Sequence, residues 1–391
     1  MAPESAARFE ALEDQAEGIM AIFTRAGYER VAPAIIQPAD IFLDQVGEAI
    51  RSRTYVFTDP DGQELCLRPD LTIPTCRIYL GRNPKANREA RYAYNGPAFR
   101  FQHGKPDALR PREFRQAGIE CFGVSDREQA EAESLSLVLE AVRNAGLRGF
   151  VLRLGDLGLL RALLEALPIP SRWRARLQAS FWRPDTFHTT LKRLSSPASP
   201  VANADIAALA RELDPDDIEA AEQRVGAYLD TAKITFIGAR TIGEITGRLL
   251  AIAADMREQP LSGDVVQVIE DYLAITGSPD VAARSIQRLA GDARIDLEEP
   301  LARFERRIAA LREIGAGAQH AHFAADFGRQ LEYYSGFVFQ IEMPGQGVAG
   351  QIAGGGRYDG LIESIGGPQG VPAVGSAIHT ERLLAAREGG L

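Results

Sequence analysis

Apolar residues recur along the chain with two periods, and the change between them divides the sequence. Phe9, Leu12, Ala16, Ile19, Met20 and Phe23 stand three and four apart, predicting an amphipathic helix over 9–25 that Gly27 stops. The pattern then turns extended. Val31-Ala32-Pro33-Ala34-Ile35-Ile36 is a β-rich run whose Pro33, lacking an N–H, suits an edge or a subunit interface. Tyr55-Val56-Phe57-Thr58 and Leu65-Cys66-Leu67-Arg68 read as strands joined by the turn Asp59-Pro60-Asp61-Gly62. Residues 92–100 and 113–122 make a second pair across a polar loop. A helix is expected over 130–144, and strands over 150–154, 322–326 and 336–341. The sum is an α+β core, an antiparallel sheet flanked by helices.

Between these blocks the composition shifts. Residues 168–299 are rich in Ala, Leu, Arg and Glu, with helical periods broken at Pro184, Pro197, Pro200, Pro215 and Pro260. The expected organisation is therefore a core of 1–167 and 300–391 carrying a mostly helical insertion of 168–299.

Composition narrows the functional classes. Hydrophobic content of 45% with 25% charged residues is that of a globular chain. A net charge of −9 argues against a general nucleic-acid binder. Arg172-Trp173-Arg174-Ala175-Arg176 then reads as a helix face or a partner contact, and no nucleic-acid partner is expected. Cys66, Cys76 and Cys121 form no CxxC and suit a reducing cytoplasm, and the five histidines form no HExxH. No metal and no cofactor is expected. The N-terminus lacks the charge and apolar run of a signal peptide. No stretch reaches the ~18 apolar residues of a membrane span, so a cytoplasmic location without membrane contact is expected.

Four separated segments carry polar residues that strand alternation places on one sheet face. They are Arg68-Pro69-Asp70-Leu71-Thr72; Arg100 and Gln102 with Arg112 to Glu120; Asp326 to Tyr334; and Arg357-Tyr358-Asp359 with Arg382. Gln116 and Glu120 stand four apart and share a face. Carboxylates hold an ammonium or an imidazole N–H, arginines hold a carboxylate in a fork, aromatic rings form walls and glycines admit close backbone approach. The set suits a small zwitterion with a polar side chain.

The order of these segments resembles the histidyl-tRNA synthetase core of the class II aminoacyl-tRNA synthetases, over nearly everything except the helical insertion. Gly27-Tyr28-Glu29-Arg30-Val31-Ala32-Pro33 resembles the first class motif, which builds a dimer interface and implies a homodimer through 28–38. Phe99-Arg100 with the strand to Glu120 resembles the second motif, and Pro372 to Arg382 the third. Arg329-Gln330-Leu331-Glu332-Tyr333-Tyr334-Ser335-Gly336 and Gly355-Gly356-Arg357-Tyr358-Asp359-Gly360 resemble the two histidine-specific motifs. The resemblance implies that Asp70, Thr72, Gln116 and Glu120 hold histidine's amino group and imidazole. Tyr333, Tyr334 and Tyr358 would line the side chain, and Arg329 would sit over the carboxylate. Arg100 and Arg382 fall where a ligase grips ATP phosphates, and Arg100 is also counted among the histidine-binding candidates.

Departures from that pattern carry the functional expectation. Gln102 stands where a Glu seats adenine, and His379-Thr380 stands where glycine floors the ATP site. Arg68-Pro69-Asp70-Leu71-Thr72 replaces Arg-Pro-Glu-Gly-Thr, and no anticodon-binding domain is expected after Arg382. This altered pattern resembles the regulatory subunits of ATP phosphoribosyltransferase, the family that opens histidine biosynthesis. The resemblance implies a non-catalytic chain that assembles with a short-form catalytic subunit and conveys feedback inhibition by histidine. It leaves open whether histidine sits in the synthetase-like pocket or at the subunit junction. The alternative is a stand-alone ligase that activates histidine for a non-tRNA acceptor, to which Arg100, Arg329 and Arg382 would contribute.

Overall fold

Alternation along two long strands organises the molecule. The computed structural model describes residues 5–43, 51–102, 111–181, 183–196, 204–215, 217–232, 241–313, 315, 321–328, 333–347 and 350–389. The chain divides into two compact units, Met1–Ala166 with Glu270–Leu391, and Leu167–Ile269.

The first unit holds nine strands in one sheet, among the described residues. They are β1 (Glu29–Arg30), β5 (Ala90–Phe99), β6 (Glu113–Phe122), β7 (Val151–Asp156), β8 (Thr276–Gly277), β9 (Ala321–Ala324), β10 (Phe337–Glu342), β11 (Gln351–Arg357) and β12 (Ala373–His379). Their order across the sheet is β1-β5-β6-β12-β11-β10-β7-β9-β8. The central pairs are antiparallel as expected; β1 with β5 and β7 with β9 are parallel, so the sheet is mixed. A small antiparallel sheet, β2 (Ile36–Pro38), β4 (Glu64–Leu67) and β3 (Tyr55–Thr58), lies beside it in the chain. Its hairpin turns where expected: Gly62 adopts φ +85°, which L side chains resist, and its N–H donates to Asp59 O at 3.0 Å.

Each face of the large sheet has its own cover. One face carries α1 (Ala6–Arg25), α4 (Arg127–Asn144) and α13 (Glu298–Glu313); the Ser134 hydroxyl of α4 meets that of Ser376 on β12 at 3.0 Å. The opposite face, called the front here, is covered at one end by α3 (Thr72–Arg82). There Tyr79 stacks on Phe122 with ring centroids 4.5 Å apart and planes 13° apart. Phe42, Ile73, Cys76, Val338 and Ile362 complete that core.

Residues 270–299 differ from their sequence assignment to the insertion. They belong to the first unit, because β8 pairs with β9 and Ala325 N donates to Ile275 O at 2.9 Å. Ala- and Arg-rich helices look alike in sequence whether they build an insertion or flank a sheet. The second unit is helical, with a core of Leu209, Leu213, Ala221, Val225, Leu249 and Ala253. Arg172 and Arg176 both bridge to Asp255 at 2.5 Å. Among the described residues no helix is long and apolar enough to cross a membrane.

Phe122 has no exposed surface and anchors the aromatic stack. Phe122→Ala is expected to cost about 3–5 kcal/mol, read as a fall in the urea midpoint with an unchanged slope.

Candidate functional site

Register brings residues from five elements together on the front face. Tyr94 on β5 stands opposite Gly118 on β6, Glu120 opposite Gly375 on β12, and Gly375 opposite Gly356 on β11. The glycines are a volume requirement. A Cβ on Gly375 would stand 1.5 Å from Glu120 Oε2, and one on Gly118 would stand 2.5 Å from Tyr94 Oη. Side chains at either place would displace the carboxylate or the phenol.

Glu120 has no exposed surface. Its Oε1 accepts from Tyr94 Oη at 3.0 Å and its Oε2 accepts a short hydrogen bond from Tyr358 Oη. Burial pushes its carboxyl up to about 8; the hydroxyl-bearing Tyr358, Thr72 and Tyr94 pull it down, and the nearby Asp70 raises it. Burial beside this carboxylate likewise raises the phenols of Tyr94 and Tyr358 well above their ordinary value.

Asp70 and Thr72 reach the same place because they open α3. Asp70 is 3% exposed; its Oδ1 accepts from Ile73 N at 3.2 Å, and its Oδ2 meets no donor among the described residues. Burial raises the Asp70 carboxyl, against the pull of Arg100, the Ile73 and Thr72 N–H groups and Arg68. A buried carboxylate oxygen without a donor is rare in folded proteins.

Arg100 borders the acidic pair. Its Nε donates to Pro69 O at 2.8 Å and its guanidinium lies 4.9 Å from the centre of the Phe114 ring. Burial lowers its pKa to about 10, with Asp70 opposing and Arg53 and Arg382 adding to the fall. His379 packs on the same Phe114 with ring centres 5.3 Å apart, and in register it faces Gln116, which is buried. Arg382 Nη1 donates to Gln351 O at 3.1 Å, and Gln102 is half-buried two residues beyond Arg100.

Tyr333 and Tyr334 form the aromatic side: their rings lie 4.8 Å apart, and Tyr333 meets Tyr358 edge-on at 5.8 Å. Arg329, with Gln330 to Glu332, lies outside the described residues.

Arg357 departs from its expected place. Gly356 and Tyr358 face the front, so alternation turns Arg357 to the back, where it pairs with Glu131. Sequence reasoning missed Tyr94 and Gly375. Both become visible only once β6 is aligned with β5 and β12, since Tyr94 is 26 residues from its carboxylate partner.

A family model described as histidyl-tRNA synthetase matches residues 1–235 and 246–383. An ATP phosphoribosyltransferase regulatory subunit of Mesorhizobium japonicum is 34% identical over 381 residues, covering 95% of this chain and 97% of that one. A protein of the same description from Chelativorans sp. is 35% identical over 362 residues, with 90% and 92% covered. Among solved structures, an ATP phosphoribosyltransferase regulatory subunit/histidyl-tRNA synthetase from Bacillus halodurans superposes with TM-score 0.67 at 20% identity, covering 99% of this chain and 81% of its own. A histidine–tRNA ligase subunit from Alicyclobacillus acidocaldarius gives 0.61 at 23%, covering 100% and 96%. These structural likenesses establish the shared fold.

Glu120 also gives the site a pH signature. Its folded value of about 8 lies above the ordinary 4.5, so across that interval the folded chain keeps a proton that the unfolded chain releases. The group therefore lowers stability progressively as pH rises from about 4.5 toward about 8, and the loss levels off above. Asp70 contributes with the same sign. Glu120→Gln is expected to flatten the dependence of the urea midpoint between about pH 5 and pH 8. Equal slopes in wild type and variant would show that Glu120 ionises at its ordinary value.

Proposed function

Because the chain belongs to the histidyl-tRNA synthetase family and, within it, to the ATP phosphoribosyltransferase regulatory subunits, we propose that its front-face site binds free histidine and conveys feedback inhibition. Its role is that of a non-catalytic subunit in histidine biosynthesis, working with a catalytic partner chain. Asp70 Oδ2, buried near Glu120 and without a donor among the described residues, is the observation that carries the histidine reading. An amino acid brings an ammonium for Asp70 and a carboxylate for Arg100, which Arg329 joins by the family resemblance. The imidazole would lie among Gln116, Glu120 and the rings of Tyr333, Tyr334 and Tyr358. Histidine bound more tightly in one arrangement of the complex than in another shifts the balance by that difference alone; tenfold corresponds to about 1.4 kcal/mol.

The packing of His379 on Phe114, the ring that Arg100 also contacts, supports a regulatory rather than a ligase site. Side chains fill space next to Arg100 where the resemblance would put a nucleotide. The chain also pairs with a second copy in this reading. Ile36 and Phe57 are exposed on one face of the small β2-β4-β3 sheet, apolar surface that water disfavours.

Calorimetric titration tests the site. Wild type is expected to bind histidine and not ATP, and Asp70→Asn to weaken histidine binding at least about tenfold, because a neutral amide loses the charge-assisted bond. Assembly with the catalytic subunit should be unchanged by that variant. ATP binding with pyrophosphate exchange would replace the regulatory site by a working ligase site. For the homodimer, Ile36→Glu is expected to halve the sedimentation mass of the isolated chain; an unchanged mass would move the interface elsewhere.

A further inference from the structure

The end of β11, which leads into Tyr358, is fastened from behind. Glu131, on α4, is 1% exposed and accepts short hydrogen bonds from Arg357 Nε and Arg307 Nε, one on each oxygen. Arg307, on α13, also donates to Asp156 Oδ2 at 2.6 Å. Arg357 also donates from Nη1 to Asp359 Oδ1 and from Nη2 to Arg127 O, both at 2.9 Å. Asp359 Oδ1 in turn accepts from Ala373 N at 2.9 Å. Both neighbours of Tyr358 are thus tied into one set of charges centred on the buried Glu131. Ser335 extends the tie to the other aromatic residues: its Oγ accepts from Asp359 N at 3.1 Å and its N–H donates to Arg357 O at 2.8 Å, directly after Tyr333 and Tyr334.

The site itself uses none of these charges, since they lie on the other side of the sheet. Their geometric effect falls on Tyr358, whose backbone they hold at both flanks and whose phenol reaches Glu120 on the front. We propose that Glu131, acting through Arg357, is a positioning residue of the front-face site that sets the Tyr358 hydroxyl on the Glu120 carboxyl. The set also makes α13, through Arg307, an element whose displacement is felt at that hydroxyl. Its consequence for histidine affinity rests on the proposed function; its consequence for Glu120 does not.

A double-mutant cycle separates positioning from general support, because only coupled residues give non-additive effects. Glu120 is followed by the carboxyl carbon-13 shift in glutamate-labelled full-length chain, assigned by its loss in Glu120→Gln. The titratable groups facing it are Asp70, Cys76, Tyr94 and Tyr358, and the first three are kept constant. Losing a donor to the charged form raises a carboxyl's titration midpoint, by about one pH unit here for Tyr358→Phe. Glu131→Gln is expected to raise it in the same direction in wild type and to add nothing in the Tyr358→Phe background. Histidine affinity is expected to fall about five- to tenfold under Glu131→Gln in wild type and to be unaffected by it in Tyr358→Phe.

Glu131→Gln leaves two buried arginines less well compensated, so Ser335→Ala, which removes no charge, carries the same cycle if that variant does not fold. The same displacement in both backgrounds, or none in either, overturns the proposal. A cycle that appears in the Glu120 titration while wild type does not bind histidine upholds the positioning role and overturns the histidine reading instead.

Discussion

A carboxyl group buried in the middle of a sheet face imposes conditions on every strand around it. Glu120 has no access to water, so the hydration it gives up must be replaced by hydrogen bonds from the chain. Tyr94 supplies its bond from β5 on one side, and Tyr358 from just past the end of β11 on the other. The strand directly adjacent must contribute nothing at all, which is why position 375 is glycine. Once these conditions are met, the front of the sheet has a fixed floor. Asp70 and Thr72 can then approach it from the start of α3, and Arg100 from the end of β5.

The two faces of the sheet solve the burial of charge differently. On the back, Glu131 meets two arginines, and their attraction more than offsets its desolvation, holding its carboxyl below the ordinary range. On the front, neutral hydroxyls surround Glu120 and the balance goes the other way. Buried ion sets of the first kind are an uncertain source of stability, but they fix geometry, since each member accepts few arrangements. Hydroxyl-bound carboxyls of the second kind keep an adjustable charge. The rigid set sits behind the adjustable one, and Arg357 and Tyr358, adjacent in sequence, face one each.

Much of this was legible before the structure. The hairpin at 59–62 and the β5–β6 pair are local, and period-two alternation placed Gln116, Gly118 and Glu120 on one face. The family resemblance placed Asp70, Thr72 and Tyr358 among the site candidates, and the fold expected from it is the one found. Legibility ended where pairing is non-local. The parallel β1–β5 and β7–β9 contacts left no turn signature, and the end of the helical insertion was misplaced because residues 270–299 share its composition. Glu131 and Arg307 were invisible for a related reason: a charge in an amphipathic helix is ordinarily solvated, and only the packing of α4 against α13 shows that these are not. Arg357 was placed on the wrong face although alternation with Tyr358 already forbids both from facing forward.

The order of strands has a consequence for how the chain comes into being. β6, which carries Glu120, pairs on one side with β5, its neighbour in sequence, and on the other with β12, which lies far along the chain. Throughout synthesis of the intervening 250 or so residues the β5–β6 hairpin must wait with an open edge and a half-dressed carboxyl. Such an edge is a template for other chains. The nascent protein is therefore exposed to mispairing until β12 has been synthesised, and closure of the sheet centre cannot precede it.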